Sequence, residues 1–218
     1  MNKLFLASFF SGVASLFQDF AQEDIKGKTV TFIPTAAIPE KVTFYVGSDK
    51  KALQKLGLVV DELEITTSTK EEIKNKLETN DYIFVSGGNT FYLLQELIKT
   101  GTDKIIKEQI KKGKIYIGAS AGSMILSPDI EYVNEMDDSE KAPELKNNFK
   151  ALNVIDFYPI PHFGNVPFKK AGEKIIEKYN STLKLISISN AQVITVKGDE
   201  IKLDKIKEIY QKAMELLK

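Results

Sequence analysis

Gly118-Ala119-Ser120-Ala121-Gly122 sets one serine between two glycines in the pattern G-x-S-x-G. Before it stands Lys114-Ile115-Tyr116-Ile117, whose apolar, β-branched and aromatic residues read as a buried strand. After it, Met124-Ile125-Leu126 can open a helix. A sharp strand-to-helix turn of this kind lifts a hydroxyl above the sheet edge and aims backbone N–H groups at the same point. Only small residues fit beside such a serine, which is what Gly118, Ala119, Ala121 and Gly122 supply. The plainer alternative is a glycine-rich turn in which Ser120 or Ser123 caps a helix.

A serine hydroxyl is a weak nucleophile at neutral pH and needs a base within hydrogen-bond reach. The chain has a single histidine, His162, in Pro161-His162-Phe163-Gly164, just past a proline-punctuated apolar run. Taken alone, a lone histidine reads as a surface or satisfied core residue. Beside an elbow serine it becomes the one imidazole able to act as base. That imidazole needs a third group to hold its tautomer. Glu135 and Asp138 precede it, and Asn190 follows it in Ser189-Asn190-Ala191. A side-chain amide can orient an imidazole but brings no negative charge. Residue types leave Asn190, Glu135 and Asp138 all open.

Composition removes other chemistries. The 218 residues include no Cys, so disulfides, thiolate nucleophiles and Cys-ligated metals are excluded. With one His, a His-rich metal site is excluded too, leaving only an all-oxygen Mg²⁺ or Ca²⁺ site; no cofactor is expected. Lys+Arg and Asp+Glu are both 30, so no global field favours nucleic acid or an anionic membrane. Every one of those basic residues is Lys, so planar bidentate clamps on carboxylate or phosphate are missing. No apolar run reaches the length of a membrane span. Residues 1–10 have the look of a weak signal peptide, but Ser11-Gly12 breaks the run early and no small-x-small cleavage site follows. They are read instead as a first buried strand, and the chain as cytoplasmic, in keeping with the absence of Cys.

The elements that must position these residues alternate along the first half of the chain. Strands are expected at residues 3–9, 28–34, 58–63, 82–85 and 114–117. Helices are expected at 13–21, 42–56, 69–79, 90–99 and 102–112. Thr69 with Glu72 forms a capping box, Gly57 and Gly113 are C-caps, and Thr90 is placed as an N-cap. This alternation predicts one α/β domain over residues 1–218: a mostly parallel sheet flanked by helices. Ligands of such sheets bind beyond the carboxyl ends of the strands. Ser86-Gly87-Gly88-Asn89 and the Gly118–Gly122 turn both fall there, so the two are expected to share one crevice. Residues 127–149 are acidic and aperiodic and read as a solvated surface excursion. Beyond them the pattern predicts strands at 155–161, 185–188, 192–196 and 200–203, and helices at 167–179 and 204–217.

Four stretches in this order carry a resemblance across essentially the whole chain. They are Ser86-Gly87-Gly88-Asn89-Thr90, Gly118-Ala119-Ser120-Ala121-Gly122-Ser123, Asn134-Glu135-Met136 and Pro161-His162-Phe163. Together they resemble the peptidase E family, serine peptidases of the class I glutamine-amidotransferase-like (flavodoxin-like) fold. The resemblance implies Ser120 as nucleophile, His162 as base, and an oxyanion hole from the backbone N–H groups of Gly88 and Ala121. It implies small peptides as substrates, with aspartyl dipeptidase-like exopeptidases among the family's members. Two departures stand out. Asn190 occupies the place where the family typically carries a Glu, and Glu135 lies where relatives carry Asp, as orienter or substrate contact. No Arg is available to pair a substrate aspartate. Two other readings are an α/β-hydrolase-type esterase and a non-catalytic ligand-binding module on the same fold. Monomer and homodimer stay equally open.

Overall fold

Strands buried on both faces read as unbroken apolar runs, whereas half-exposed strands alternate. Leu4-Phe5-Leu6-Ala7, Tyr82-Ile83-Phe84-Val85 and Ile115-Tyr116-Ile117 are such runs, and they lie at the middle of the sheet. A computed structural model describes residues 1–206. In chain order these form β1 (Lys3–Ala7), α1 (Phe10–Val13), α2 (Phe17–Ala21), β2 (Thr29–Ile33), α3 (Phe44–Lys55), β3 (Val59–Glu62) and α4 (Lys70–Thr79). There follow β4 (Tyr82–Val85), α5 (Thr90–Thr100), α6 (Thr102–Lys111), β5 (Ile115–Ala119) and the short α7 (Ala121–Met124). The last elements are β6 (Tyr158–Ile160), α8 (Lys169–Tyr179), β7 (Leu185–Ser187), β8 (Gln192–Lys197) and β9 (Glu200–Lys205).

Seven strands make one sheet in the order β3-β2-β4-β5-β1-β8-β9. The first five run parallel, and the β8–β9 hairpin is added antiparallel on the β1 side. Register aligns Leu6 and Val85 with Gly118, and Ala7 with Ala119, so β1, β4 and β5 end together. Strand periodicity sends alternate side chains to opposite faces. Leu4, Leu6, Ile83 and Val85 therefore join one core cluster, and Phe5, Ala7, Tyr82 and Phe84 the other. The second cluster is strongly aromatic. Register partners Phe32 and Phe84 stack at 4.8 Å, and Phe10 and Phe17 close edge-on around Phe5. β6 and β7 form a separate two-stranded parallel ribbon.

Several expectations need correction. The predicted helix over 13–21 is split into α1, a 3-10 turn at Ala14–Leu16 and α2. The strand over 155–161 shrinks to β6, since Pro159 and Pro161 limit what it can pair. The acidic excursion is not a solvated loop. It folds as 3-10 turns that bury Ile130, Tyr132, Val133 and Leu145 in the larger core cluster. Its charges had masked those apolar anchors. Asn89, not Thr90, caps α5: its Oδ1 accepts the Tyr92 N–H at 2.9 Å. Of the predicted helix over 204–217, Asp204 and Lys205 belong to β9, and residues 207–218 lie outside the described residues. Among the described residues no helix is long and apolar enough to cross a membrane.

Candidate active site

The turn after β5 is tight because both of its glycines are packed against backbone. A methyl group at Gly118 would lie 2.5 Å from Gly122 O, and one at Gly122 would lie 2.1 Å from Val85 O. Ser120, between them, takes φ 49° and ψ −106°, a conformation that costs an L-residue on the order of 1–3 kcal/mol. Surrounding bonds hold it there. Its N–H donates to Ala7 O at 2.9 Å, and its carbonyl accepts from Ser123 N at 2.8 Å and Met124 N at 3.0 Å. The Ser123 hydroxyl is buried and donates to Ala7 O and Gly118 O, closing the turn from below. The Ser120 side chain does not cap α7.

Instead Ser120 Oγ lies 3.1 Å from His162 Nε2. On the other side of the ring, His162 Nδ1 lies 2.7 Å from Asn190 Oδ1. An amide oxygen only accepts, so this bond requires the proton on Nδ1 and leaves the Nε2 lone pair facing the serine hydroxyl. All three residues are half-buried. His162 stacks on Phe168 at 4.8 Å. Burial pulls the His162 pKa below the ordinary 6.5, against which the Asn190 bond pushes it up. A hydroxyl, an imidazole and an amide joined in this way can pass a proton from oxygen to nitrogen as the oxygen attacks a carbonyl.

Three side chains that sequence patterns did not single out support this group. The buried Ser8, just past β1, accepts the His162 N–H at 3.0 Å. Asn165 Oδ1 accepts the Asn190 N–H at 2.9 Å, and its own N–H donates to His162 O. Phe168 is the stacking partner. Only the position of Ser8 at a strand's carboxyl end pointed toward it.

The second glycine-rich turn meets the first, as expected. A Cβ on Gly87 would sit 3.3 Å from Ser120 Cβ and 3.7 Å from the Tyr45 ring. Gly88 has φ 136° and leaves no space for a side chain, since a Cβ would fall 2.1 Å from Ala36 O. Asn89 N–H donates to that same Ala36 O. Ala121 is the first residue of α7, where helix geometry leaves the backbone N–H without an intrahelical acceptor.

The two carboxylates considered as orienters lie elsewhere. Glu135 pairs with Lys178 on α8 at 3.3 Å. Asp138 caps its own turn through the Glu140 N–H. Neither is bonded to His162 among the described residues. Their neighbour Asp137 accepts the Thr90 N–H and hydroxyl at 2.8 and 2.6 Å, so it braces α5 right after the Gly87-Gly88 turn. Burial pushes its carboxyl up to about 6 despite those bonds. Tyr45 is pushed up to about 12 by burial and by the charges of Glu40, Asp137 and Asp49. Among the described residues, no three acidic or imidazole side chains converge as a metal site requires.

The topology is that of the class I glutamine-amidotransferase-like α/β proteins. Comparison with known proteins narrows this. The sequence matches the model of peptidase family S51 over residues 5–204. It is 51% identical to an uncharacterized peptidase of Listeria monocytogenes serovar 1/2a, covering 92% of this chain and 97% of that one. Peptidase E of a Nostoc species is 27% identical over 96% of this chain and 88% of its own. A crystal structure of a peptidase E candidate from L. monocytogenes EGD-e superposes with a TM-score of 0.91 at 49% identity, covering 95% of this chain and all 100% of the other. A peptidase from an acI-B1 actinobacterium shares the fold at a TM-score of 0.70 and 21% identity, covering 94% of this chain and 88% of that one. The chain therefore belongs to peptidase family S51, a family of hydrolases acting on peptides.

Proposed function

We propose that this peptidase is serine-type and cleaves small peptides, with Ser120 as nucleophile, His162 as general base and then general acid, and Asn190 as the group that orients the imidazole. One observation carries the reading: the unbroken hydrogen-bond chain Ser120 Oγ–His162 Nε2 and His162 Nδ1–Asn190 Oδ1, at the carboxyl end of the sheet. Ser120 Oγ attacks the scissile carbonyl carbon while its proton moves to Nε2. The oxygen of the tetrahedral intermediate takes hydrogen bonds from the N–H groups of Gly88 and Ala121. Collapse expels the amine, which takes the proton from His162 and leaves an acyl ester on Ser120. Water, deprotonated by the same imidazole, then hydrolyses that ester.

The charge around the crevice bears on which peptides are cut. The ionisable groups felt by Tyr45, beside Gly87, are the carboxyls of Glu40, Asp137 and Asp49. The chain has no Arg to answer an acidic substrate side chain. Peptides with a neutral first residue are therefore expected to be cut faster than those beginning with Asp. A dipeptide panel spanning acidic, neutral and basic first residues, assayed for wild type and Ser120→Ala, tests both points. Hydrolysis lost on the substitution, and adduct mass found on Ser120 after fluorophosphonate treatment, is the expected result. Retention of turnover by Ser120→Ala rejects the reading.

A further inference from the structure

His162 occupies an unusual backbone conformation, with φ 58°. A residue with a Cβ is disfavoured there, and it persists only where neighbours over-determine it. Its N–H has a single protein acceptor among the described residues, the Ser8 hydroxyl at 3.0 Å. That hydroxyl is placed to do more. It lies 3.0 Å from Ile188 O and 3.1 Å from Ser189 O, so its one proton is shared between two carbonyls while a lone pair takes the His162 N–H. Ser8 is 2% exposed, so water does not stand in for any of these bonds.

Ser8 thus joins three pieces of chain. It ends the strand segment whose Ala7 carbonyl accepts the Ser120 N–H. It binds the main chain of His162 on the loop after β6. It binds the carbonyl immediately before Asn190 on the loop after β7. Other links between those two loops, such as Phe163 N–H to Ile188 O, Ile188 N–H to Ile160 O and Asn190 N–H to Asn165 Oδ1, run between the loops themselves and do not reach β1. Gly12, further along from Ser8, packs so closely that a Cβ would lie 2.8 Å from Asn190 O, so the same segment backs Asn190 as well.

We infer that Ser8 is the positioning residue of this site: its hydroxyl fixes the distance and tilt of the His162 ring with respect to Ser120 by tying the His162 and Asn190 loops to the strand that also anchors Ser120. This rests on the serine-type reading for its consequence in catalysis, but its geometric content does not. Loss of the hydroxyl leaves the His162 N–H without its one protein acceptor among the described residues, in a buried place where it needs one, while Ile188 O and Ser189 O keep the Phe163 and Gln192 N–H groups.

The single histidine makes the test clean, because one imidazole signal in the NMR spectrum reports His162 alone. Ser8→Ala is expected to lower kcat by about 10- to 100-fold with KM changed less than about threefold, the pattern of a lost transition-state arrangement. The imidazole titration midpoint should move as the ring loosens, and Ser8→Thr, which keeps the hydroxyl, should recover most of the kcat and the midpoint. If Ser8→Ala does not fold, Ser8→Cys keeps the size with a weaker donor and is read in the same way. A variant with kcat within twofold of wild type and an unmoved imidazole titration overturns the inference. So does a kcat loss that merely follows the folded fraction measured by thermal unfolding. Running the titration also in the Ser120→Ala background separates the two claims. A midpoint moved by Ser8→Ala there, in a protein whose Ser120→Ala parent still turns over peptide, rejects the nucleophile and keeps the positioning role.

Discussion

At the scale of single residues the site differs from a serine–histidine–carboxylate arrangement in one atom type. Asn190 offers the same oxygen to His162 Nδ1 at 2.7 Å, but without charge. On the proposed mechanism it selects the tautomer and leaves the imidazolium of the intermediate without an anion beside it. Asn190→Ala is expected to lower kcat by about 10- to 100-fold, less than the loss from Ser120→Ala, which should approach the roughly 10⁶ scale of a missing nucleophile. Asn190→Asp keeps the shape and adds the charge, so the imidazole pKa should rise. The direction of the wild-type pH profile follows from burial. His162 must be neutral to accept the serine proton, and its pKa is held below 6.5. Activity should therefore survive acidification through pH 6.5 and fall only at lower pH, and in Asn190→Asp the acid limb should move upward. A wild-type limb centred above 7 would contradict this. Ser120 and His162 stood out as candidates from residue type, because a chain with one His and no Cys offers few ways to build a nucleophile, whereas Asn190 was one of three orienters left open until its contact with His162 was seen. Ser8, Asn165 and Phe168 were not, since each acts through a contact between segments far apart in sequence, and nothing in a lone Ser, Asn or Phe announces it.

At the scale of elements, the turn after β5 depends on how closely α7 lies on β4. Gly122→Ala would force a methyl group to 2.1 Å from Val85 O, backbone against backbone, with no flexible side chain to give way. A loss of about 1–3 kcal/mol or more is expected, read by denaturant unfolding, together with loss of activity as the strained turn relaxes. Helices α1 and α3 are joined by a different device. Asp49 of α3 is 1% exposed, and its carboxylate accepts the Ser11 N–H at 3.0 Å. Burial pushes its pKa up to about 7, opposed by that bond. A folded pKa above the unfolded value means that stability is fully present below pH 3.8 and is lost as pH rises through 7. Asp49→Asn retains an acceptor for Ser11 and removes the charge. It should stabilise the protein at pH 8 by on the order of 2–4 kcal/mol and by roughly half of that or less at pH 5, as thermal unfolding at the two pH values would show. Elements with one strong period, such as α4 with its Thr69 cap and β4 with its four buried residues, were readable in advance. The segment over 10–21 was not, because Gly12 and three phenylalanines directed at the sheet divide what looks like one amphipathic helix.

At the scale of the whole molecule the sheet is graded from a sealed centre to an open edge. β4 and β5 are buried along their full lengths, whereas every residue of β9 is exposed. Amide hydrogen exchange should be slowest in β1, β4 and β5 and fastest in β9, and a β9 as protected as β5 would show that something covers that edge. Alternating strands and helices made the parallel sheet legible, since a short parallel strand needs a crossover to return. The place of β8 and β9 beside β1 was not legible, because a hairpin can add to either edge and its own sequence does not say which.

The central place of β1 also sets an order of events. Its neighbours on the two sides are residues 115–119 and 193–197, so the earliest strand of the chain is completed by some of the latest. Ser120 depends on Ala7, His162 on Ser8, and Asn190 on the segment behind Gly12, so the proposed catalytic group cannot come together while the chain is partly made. Contacts of such long sequence separation form slowly. On the serine-type proposal, a growing or half-refolded chain therefore carries the serine and the histidine without the power to cut peptides. On refolding, hydrolysis should return with the slowest phase and lag behind the recovery of helical signal, so that a peptidase comes into being only when its own chain is already folded.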